Sequence, residues 1–187
     1  MKKKCGAEAG DLVAVVGIGG LGHMALQYAR KMGFKVVAVG RGEDIAADAV
    51  RLGAHVYIDA TTQDAAKALN SMGGAQAIVT TVGKGDVVSP LVAGLAPGGR
   101  LVVLAPGKEP LALAAGALVA GERSVIGSIT GSPFENEKTL NFSVLAGVRP
   151  LIEPMPLERA PEAIRRLRAG EAKFRIVLTM EKPNDAT

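Results

Sequence analysis

The chain is short of the residues on which most site chemistry is built. Its 187 residues include one cysteine, two histidines and no tryptophan, and aromatic side chains make up only 3%. A lone Cys5, set among lysines ahead of the first apolar run, excludes an internal disulfide framework and any all-cysteine metal site. It is expected to be a free, structurally neutral thiol, and it fits a reducing compartment, here the cytoplasm. His23 and His55 lie far apart in the chain with no partnering cysteine or acid beside them. No set of three or four zinc ligands can be assembled from such a supply. His23 is expected to pack or cap, and His55 to lie at the surface. No apolar run approaches the ~20 residues that cross a bilayer. The charged start, MKKKCGAEAGD, has no apolar region behind it long enough for a signal peptide. Net charge is +4, yet the basic excess sits in residues 2–4 and 159–175 without interleaved aromatics for base stacking. That argues against a nucleic-acid partner. Two further chemistries fail on spacing. Tyr28 is followed by Lys31 rather than by a lysine four positions on, and Gly83-Lys84 is followed by Gly85 rather than by Ser or Thr.

What is present is aliphatic. Hydrophobic residues reach 48% and glycines number 24, so the chain is globular with a core of Val, Ile, Leu and Ala. Residues 12–32, LVAVVGIGGLGHMALQYARKM, carry the strongest signal. A β-branched run, residues 12–16, enters Gly17-Ile18-Gly19-Gly20-Leu21-Gly22. Apolar residues then recur at Leu21, Met24, Ala25, Tyr28 and Met32 with helical spacing. A G-x-G-x-x-G thus sits at a strand-to-helix junction, the context in which it marks a dinucleotide site. Gly17 allows the tight turn, Gly19 lets the backbone approach a pyrophosphate, and Gly22 lets the helix pack on the strand. The pyrophosphate would rest on the helix N-terminus.

The same alternation continues. Apolar runs at 35–39, 56–58, 77–81, 100–105 and 124–128 read as strands two to six, with helices expected over 43–52, 63–71 and 86–95. Ser132-Pro133-Phe134-Glu135 is a helix start, with Ser at N-cap, Pro at N1 and Glu at N3, and that helix should end near Gly147. Alternating strands and helices with continuous apolar strands imply an α/β chain: a Rossmann-type, doubly wound parallel sheet of six strands. Residues 149–156 hold three prolines and read as a connection. A short basic helix over 161–169 and a strand over 175–180 come next. The expected organisation is a dinucleotide-binding domain, 1–148, and a small C-terminal appendage, 149–187.

The end of the second strand usually selects the dinucleotide, because an acid there accepts hydrogen bonds from the adenosine ribose of NAD. Here the strand ends Val39-Gly40-Arg41-Gly42. Gly40 leaves room and Arg41 offers a guanidinium suited to a 2′-phosphate, which favours NADP. Glu43 and Asp44 come directly after, so NAD stays open as the alternative.

Several of these segments resemble one family. Residues 10–23 with Ala25-Leu26-Gln27-Tyr28-Ala29, residues 52–59, the turn at 95–103 and Phe174-Arg175-Ile176-Val177-Leu178 are similar to the nucleotide-binding domain of zinc-dependent medium-chain alcohol dehydrogenases. The likeness runs over residues 10–180. It implies an oxidoreductase that moves hydride between an alcohol or aldehyde and the nicotinamide, with zinc polarising the oxygen in the complete enzyme. It implies that Gly17, Ile18, Gly19, Gly20, Leu21 and Gly22 hold the pyrophosphate, and that Gly40 and Arg41 meet the adenosine ribose or its phosphate. The loops after strands four to six, with Thr81, Val82, Ala105 and Ser128, would border the nicotinamide. The family's catalytic domain, with its Gly-His-Glu motif and zinc cysteines, has no counterpart here, and Cys5 does not match its last zinc cysteine. No metal is therefore expected on this chain, and no catalytic residue. Residues 149–180 would be the segment that returns to that domain, and the chain alone is expected to bind cofactor without turning over alcohol. A zinc-free quinone or enoyl reductase of the same superfamily and a non-catalytic nucleotide-binding module are the alternatives. The Gly-Ile-Gly-Gly-Leu-Gly-His loop favours the zinc branch. The family's dimers join through sixth-strand edges, which implies a homodimer through residues 124–129.

Overall fold

A computed structural model describes residues 2–180 of the chain. The five residues of β1, Leu12–Val16, are all buried, as expected of a strand covered on both faces. Lys35–Gly40 (β2), Val56–Asp59 (β3), Ala75–Thr80 (β4), Leu95–Val103 (β5) and Ser124–Gly127 (β6) join it in a six-stranded sheet of order β3-β2-β1-β4-β5-β6. Every pairing is parallel. Val16, the last residue of β1, is level with Val39 of β2 and Thr80 of β4. The strand order reverses between β1 and β4, so the loops after them diverge and leave a crevice at the carboxyl edge. Leu12, Ala14 and Val16 join Leu69, Leu91 and Leu95 in one core cluster. Val13 and Val15 alternate to the opposite face, and that face is covered by the helix Gly22–Lys31, which buries Ala25, Leu26 and Ala29.

The helices are Lys2–Cys5 (α1), Gly22–Lys31 (α2), Ala46–Arg51 (α3), Ala65–Ser71 (α4), Gly85–Val88 (α5), Ala115–Val119 (α6), Pro133–Ala146 (α7) and Ala160–Ala169 (α8). Several differ from the sequence reading. The helix expected over 43–52 opens as a 3₁₀ turn, Glu43–Ile45, before α3. The one expected over 86–95 is broken into α5 and a 3₁₀ segment, Ser89–Gly94, because Pro90 lacks the N–H that would continue α5. The turn at Pro97-Gly98-Gly99 lies inside β5. There the register jumps from Ala75↔Leu95 to Ala77↔Arg100, and a Cβ on Gly99 would come 2.8 Å from the Ala75 carbonyl. The short α6 has no counterpart in the sequence reading, since its Ala-Gly-Ala-Leu-Val stretch carries no capping residue.

Cys5 corrects another expectation. It is not in a polar setting but is 1% exposed within α1, which packs on β4 and β5. Burial pushes its thiol up from the usual range.

The chain divides into two compact units between Val148 and Arg149. The second unit is not a connection leading to a lone strand. Ile152–Pro156 (β7) and Arg175–Thr179 (β8) pair in parallel on either side of α8. Three prolines hid β7. In a two-stranded sheet each strand is an edge, where proline is tolerated. Glu153 closes this unit by accepting hydrogen bonds from Arg166 Nη2 at 2.6 Å and from the Lys173 amide at 2.5 Å. Those bonds hold its carboxyl below the ordinary range.

The helix α7 begins as its sequence indicates. Ser132 Oγ accepts from the Glu135 amide, Glu135 Oε2 accepts from the Ser132 amide, and Gly147 ends the helix in the left-handed region. None of its residues is fully buried. Its hold on the sheet unit includes Tyr28, whose hydroxyl meets Ser143 Oγ at 2.7 Å. With so little burial, α7 depends on its cap more than a core helix does. Ser132→Ala should therefore cost about 1 kcal/mol. Hydrogen exchange should show faster opening confined to the first turns of α7; unchanged protection there would contradict a cap-dependent helix.

Candidate functional site

The site grows from the junction of β1 and α2. Gly17 has φ +88°, a left-handed turn that a side chain rarely adopts. Its amide donates to the Val39 carbonyl at 2.9 Å. Its carbonyl accepts from Thr81 Oγ1 at 3.0 Å, and the same hydroxyl lies 3.2 Å from the Val16 carbonyl. A Cβ on Gly22 would fall 1.8 Å from the Gly17 carbonyl oxygen, and one on Gly17 would fall 2.6 Å from Thr81 Oγ1. The start of α2 is thus laid directly on the end of β1. Gly19 differs. It is exposed, and a Cβ there would meet nothing within 4 Å. The N-terminus of α2 has no side-chain cap and no acidic residue in its first turn, so its dipole is left to an anion from outside. These features fit a pyrophosphate cradle.

Beside this loop lies a cleft of about 720 Å³. Of the residues expected at the site, it is lined by Gly17, Ile18, Gly40, Arg41 and Val82. Gly19, Gly20, Leu21 and Gly22 lie on the turn and the first residues of α2, outside that lining. Thr81 stands behind Gly17, its hydroxyl committed to main-chain carbonyls. Ala105 lies just after β5 and Ser128 just after β6, where the Ser128 amide donates to the Val103 carbonyl at 3.0 Å. Both lie at the carboxyl edge but away from the cleft's lining.

The space beside Gly40 is not open. Tyr57 fills it: a Cβ on Gly40 would lie 2.8 Å from the Tyr57 hydroxyl oxygen. That hydroxyl donates to the Gly42 carbonyl at 2.5 Å. Asp59 Oδ1 accepts from the Gly42 amide at 2.9 Å, the Thr61 amide at 2.9 Å and Thr61 Oγ1 at 2.7 Å. The bonds from Thr61 and then Gly42 hold the Asp59 carboxyl below its ordinary range. Burial, and then the carboxylates of Asp59, Asp44 and Glu43, push the Tyr57 hydroxyl up.

The charged lining was only partly visible in the sequence. Lys84, Asp64 and Asp86 share the cleft with Arg41. Asp64 caps α4 by accepting from the Lys67 amide at 3.0 Å, and Asp86 accepts from the Val87 amide at 2.8 Å. Arg41 and Lys84 line the cleft and form no ion pair with any described residue. The two carboxylates are drawn onto the main chain while the two cations face the cleft unpaired, which suits an anionic ligand. His23 is fully buried with Nδ1 3.2 Å from the Gly19 carbonyl. His55 is exposed and accepts from the Val36 amide at 2.9 Å. Among the described residues no three His, Cys, Asp or Glu side chains gather as a metal-binding group.

A family model described as zinc-binding dehydrogenase matches residues 20–144. The chain belongs to the zinc-binding dehydrogenase family. It is 39% identical over 171 residues to the alcohol dehydrogenase patD of Penicillium expansum, covering 91% of this chain and 50% of that protein. An alcohol dehydrogenase of Geobacillus stearothermophilus is 35% identical, covering 96% of this chain and 53% of its own. Among solved structures, the alcohol dehydrogenase of Aeropyrum pernix superposes with a TM-score of 0.86 at 28% identity, over 95% of this chain and 51% of that one. The CAD of Helicobacter pylori, solved in complex with NADP(H), gives 0.82 at 27% identity, over 97% and 51%. The chain spans about half the length of these relatives. It is homologous to the nucleotide-binding part of such dehydrogenases.

The lowered Asp59 carboxyl makes this dehydrogenase domain's stability fall with acid. An aspartate ordinarily titrates at about 3.9. With its folded value below that, Asp59 stabilises the fold fully above the unfolded value, and the contribution is lost as pH falls through the folded one. Urea midpoints measured downward from pH 6 should therefore drop below about pH 4, and Asp59→Asn should flatten that drop. An equally steep decline in the variant would assign the acid sensitivity elsewhere.

Proposed function

We propose that this chain binds a pyridine dinucleotide, NADP in preference to NAD, and supplies the cofactor-holding part of an alcohol dehydrogenase-like oxidoreductase. The observation that carries the reading is the start of α2. An uncapped helix N-terminus opens from a loop in which two glycines are demanded by packing and a third, Gly19, is not. A glycine that packing does not require is one whose bare backbone serves something else. Bound there, the nicotinamide would accept or give up the hydride in exchange with an alcohol or aldehyde. This chain's own part is to hold the pyrophosphate on α2, seat the adenosine in the cleft and present Arg41 to a 2′-phosphate. The family membership and the NADP(H) complex of the Helicobacter pylori relative support the reading. The loops after β4, β5 and β6, with Thr81, Val82, Ala105 and Ser128, would border the nicotinamide side. A cytoplasmic setting fits the single, buried cysteine.

Calorimetric titration with both cofactors is the test. Gly19→Val places its side chain in open space, so thermal stability should hold while NAD and NADP binding are both lost. Arg41→Ala should weaken NADP about tenfold to a hundredfold, the worth of a charge-assisted contact, and leave NAD within about threefold. Cofactor binding that survives Gly19→Val would refute the cradle.

The reading extends to a two-fold dimer. The edge strand β6 pairs with β5 alone among the described strands, and its Ser-Val-Ile-Gly carries neither charge nor proline, which leaves it open to pairing with a second copy. Light scattering should give twice the 19.1 kDa chain mass, shifting toward one chain in Ile126→Lys. A wild-type monomer at micromolar concentration would rule this out.

A further inference from the structure

The residue that faces the adenosine end of the cleft is held by a neighbouring strand, and that grip is more elaborate than closing a loop requires. Gly42, directly after Arg41, has both of its backbone polar groups taken by β3 side chains. Its amide donates to Asp59 Oδ1 at 2.9 Å and its carbonyl accepts from the Tyr57 hydroxyl at 2.5 Å. On the other side of Arg41, the Gly40 carbonyl accepts from the Ala60 amide at 2.9 Å, and Tyr57 occupies the room that a Gly40 side chain would need. Arg41 is therefore bracketed by two glycines whose positions are set from β3. Its own side chain lines the cleft and forms no ion pair with the described residues.

Asp59 is 7% exposed, and a buried carboxylate is unfavourable unless its bonds are made. The carboxylate that grips this loop has its hydrogen bonds made, all three on one oxygen, and one of them is given to Gly42. An arginine on an unconstrained Gly-Arg-Gly loop would lose backbone and side-chain freedom on meeting a phosphate, and that loss subtracts from affinity. With the main chain already fixed, only the side chain remains to be ordered.

We propose that Tyr57 and Asp59 are positioning residues for the adenosine end: by fixing Gly42 and Gly40 they preset Arg41, and through Arg41 they set the preference for an adenosine that carries an extra phosphate. This rests on the dinucleotide reading of the cleft. The two residues touch the loop, not the cofactor, so their effect should appear in the ratio of NADP to NAD affinity.

The experiment is titration of NAD and NADP against Tyr57→Phe, Asp59→Ala and Asp59→Asn, each also made with Arg41→Ala. Tyr57→Phe removes one hydrogen bond and keeps the ring against Gly40. It should lower the NADP-to-NAD affinity ratio about threefold to tenfold, the range of one lost hydrogen bond, with NAD held within about twofold. Asp59→Ala should do the same. Asp59→Asn, which keeps the accepting oxygen and removes a negative charge near Arg41, should restore the ratio to wild type or above. In the Arg41→Ala background none of the three should change the ratio. Equal losses for both cofactors, an unchanged ratio, or an effect that persists without Arg41 would overturn the proposal. Should Asp59→Ala fail to fold, Tyr57→Phe decides alone. A wild type that takes NAD but not NADP overturns this inference and leaves the dinucleotide reading standing; one that takes neither ends both.

Discussion

The carbonyl of Gly17 is where the architecture and the candidate chemistry meet. The first residue of α2 lies against the carbonyl of the residue that follows β1. Here that approach leaves no room for a Cβ, which would stand 1.8 Å from the oxygen at Gly22. The carbonyl accepts a hydrogen bond from Thr81, which reaches across from the end of β4. One backbone oxygen therefore ties β1, α2 and the β4 loop together. The distance is short enough that even an alanine at Gly22 must move the helix, and a packed interior resists such movement.

The start of α2 is also uncapped. Its N-cap residue is Leu21, whose side chain cannot accept the first amides, and there is no acid in the first turn. In an ordinary surface helix that would be a defect of about 1 kcal/mol. At the carboxyl edge of a doubly wound sheet the same amides and dipole are disposed to suit an anion, as the proposed cradle requires. Fold and binding are thus two readings of one geometry, and the family match covers the same stretch of chain from Gly20 onward.

Much of this was legible because it is local. The β-branched runs, the glycine spacing and the Ser132–Glu135 cap each encode their structure within a few residues, and the alternation of strands and helices carried the six-stranded parallel sheet. What escaped was encoded at a distance or masked by proline. Strand β7 carries Pro154 and Pro156 and is recognisable only once β8, some twenty residues on, supplies its partner. The Pro97–Gly99 turn became an irregularity inside β5 because Ala75, on another strand, fixes where pairing resumes. Cys5 seemed polar from its lysine neighbours and is buried by strands far along the chain. Of the cleft's lining, Gly17, Ile18, Gly40 and Arg41 were within reach of a motif, and Val82 within reach of the family resemblance. Tyr57, Asp59, Asp64 and Lys84 were not, because their roles depend on loops brought together from three strand ends.

The cleft divides into a rigid side and a free side, and the division suits a ligand with two different ends. Along the glycine loop the named polar groups are committed: Gly17 to Val39 and Thr81, and Thr81 to two carbonyls. Across the cleft, Asp64 and Asp86 are engaged by main-chain amides, while Arg41 and Lys84 form no ion pair with the described residues. A pyrophosphate needs a fixed surface, because its recognition is by backbone approach and tolerates little displacement. A phosphate on the ribose needs charge at the end of a long side chain, because its position varies with the seating of the adenine. In the proposed reading, committed backbone would meet the pyrophosphate and long cationic side chains the ribose phosphate, and both would depend on the strand ends that Gly17 and Asp59 hold in place.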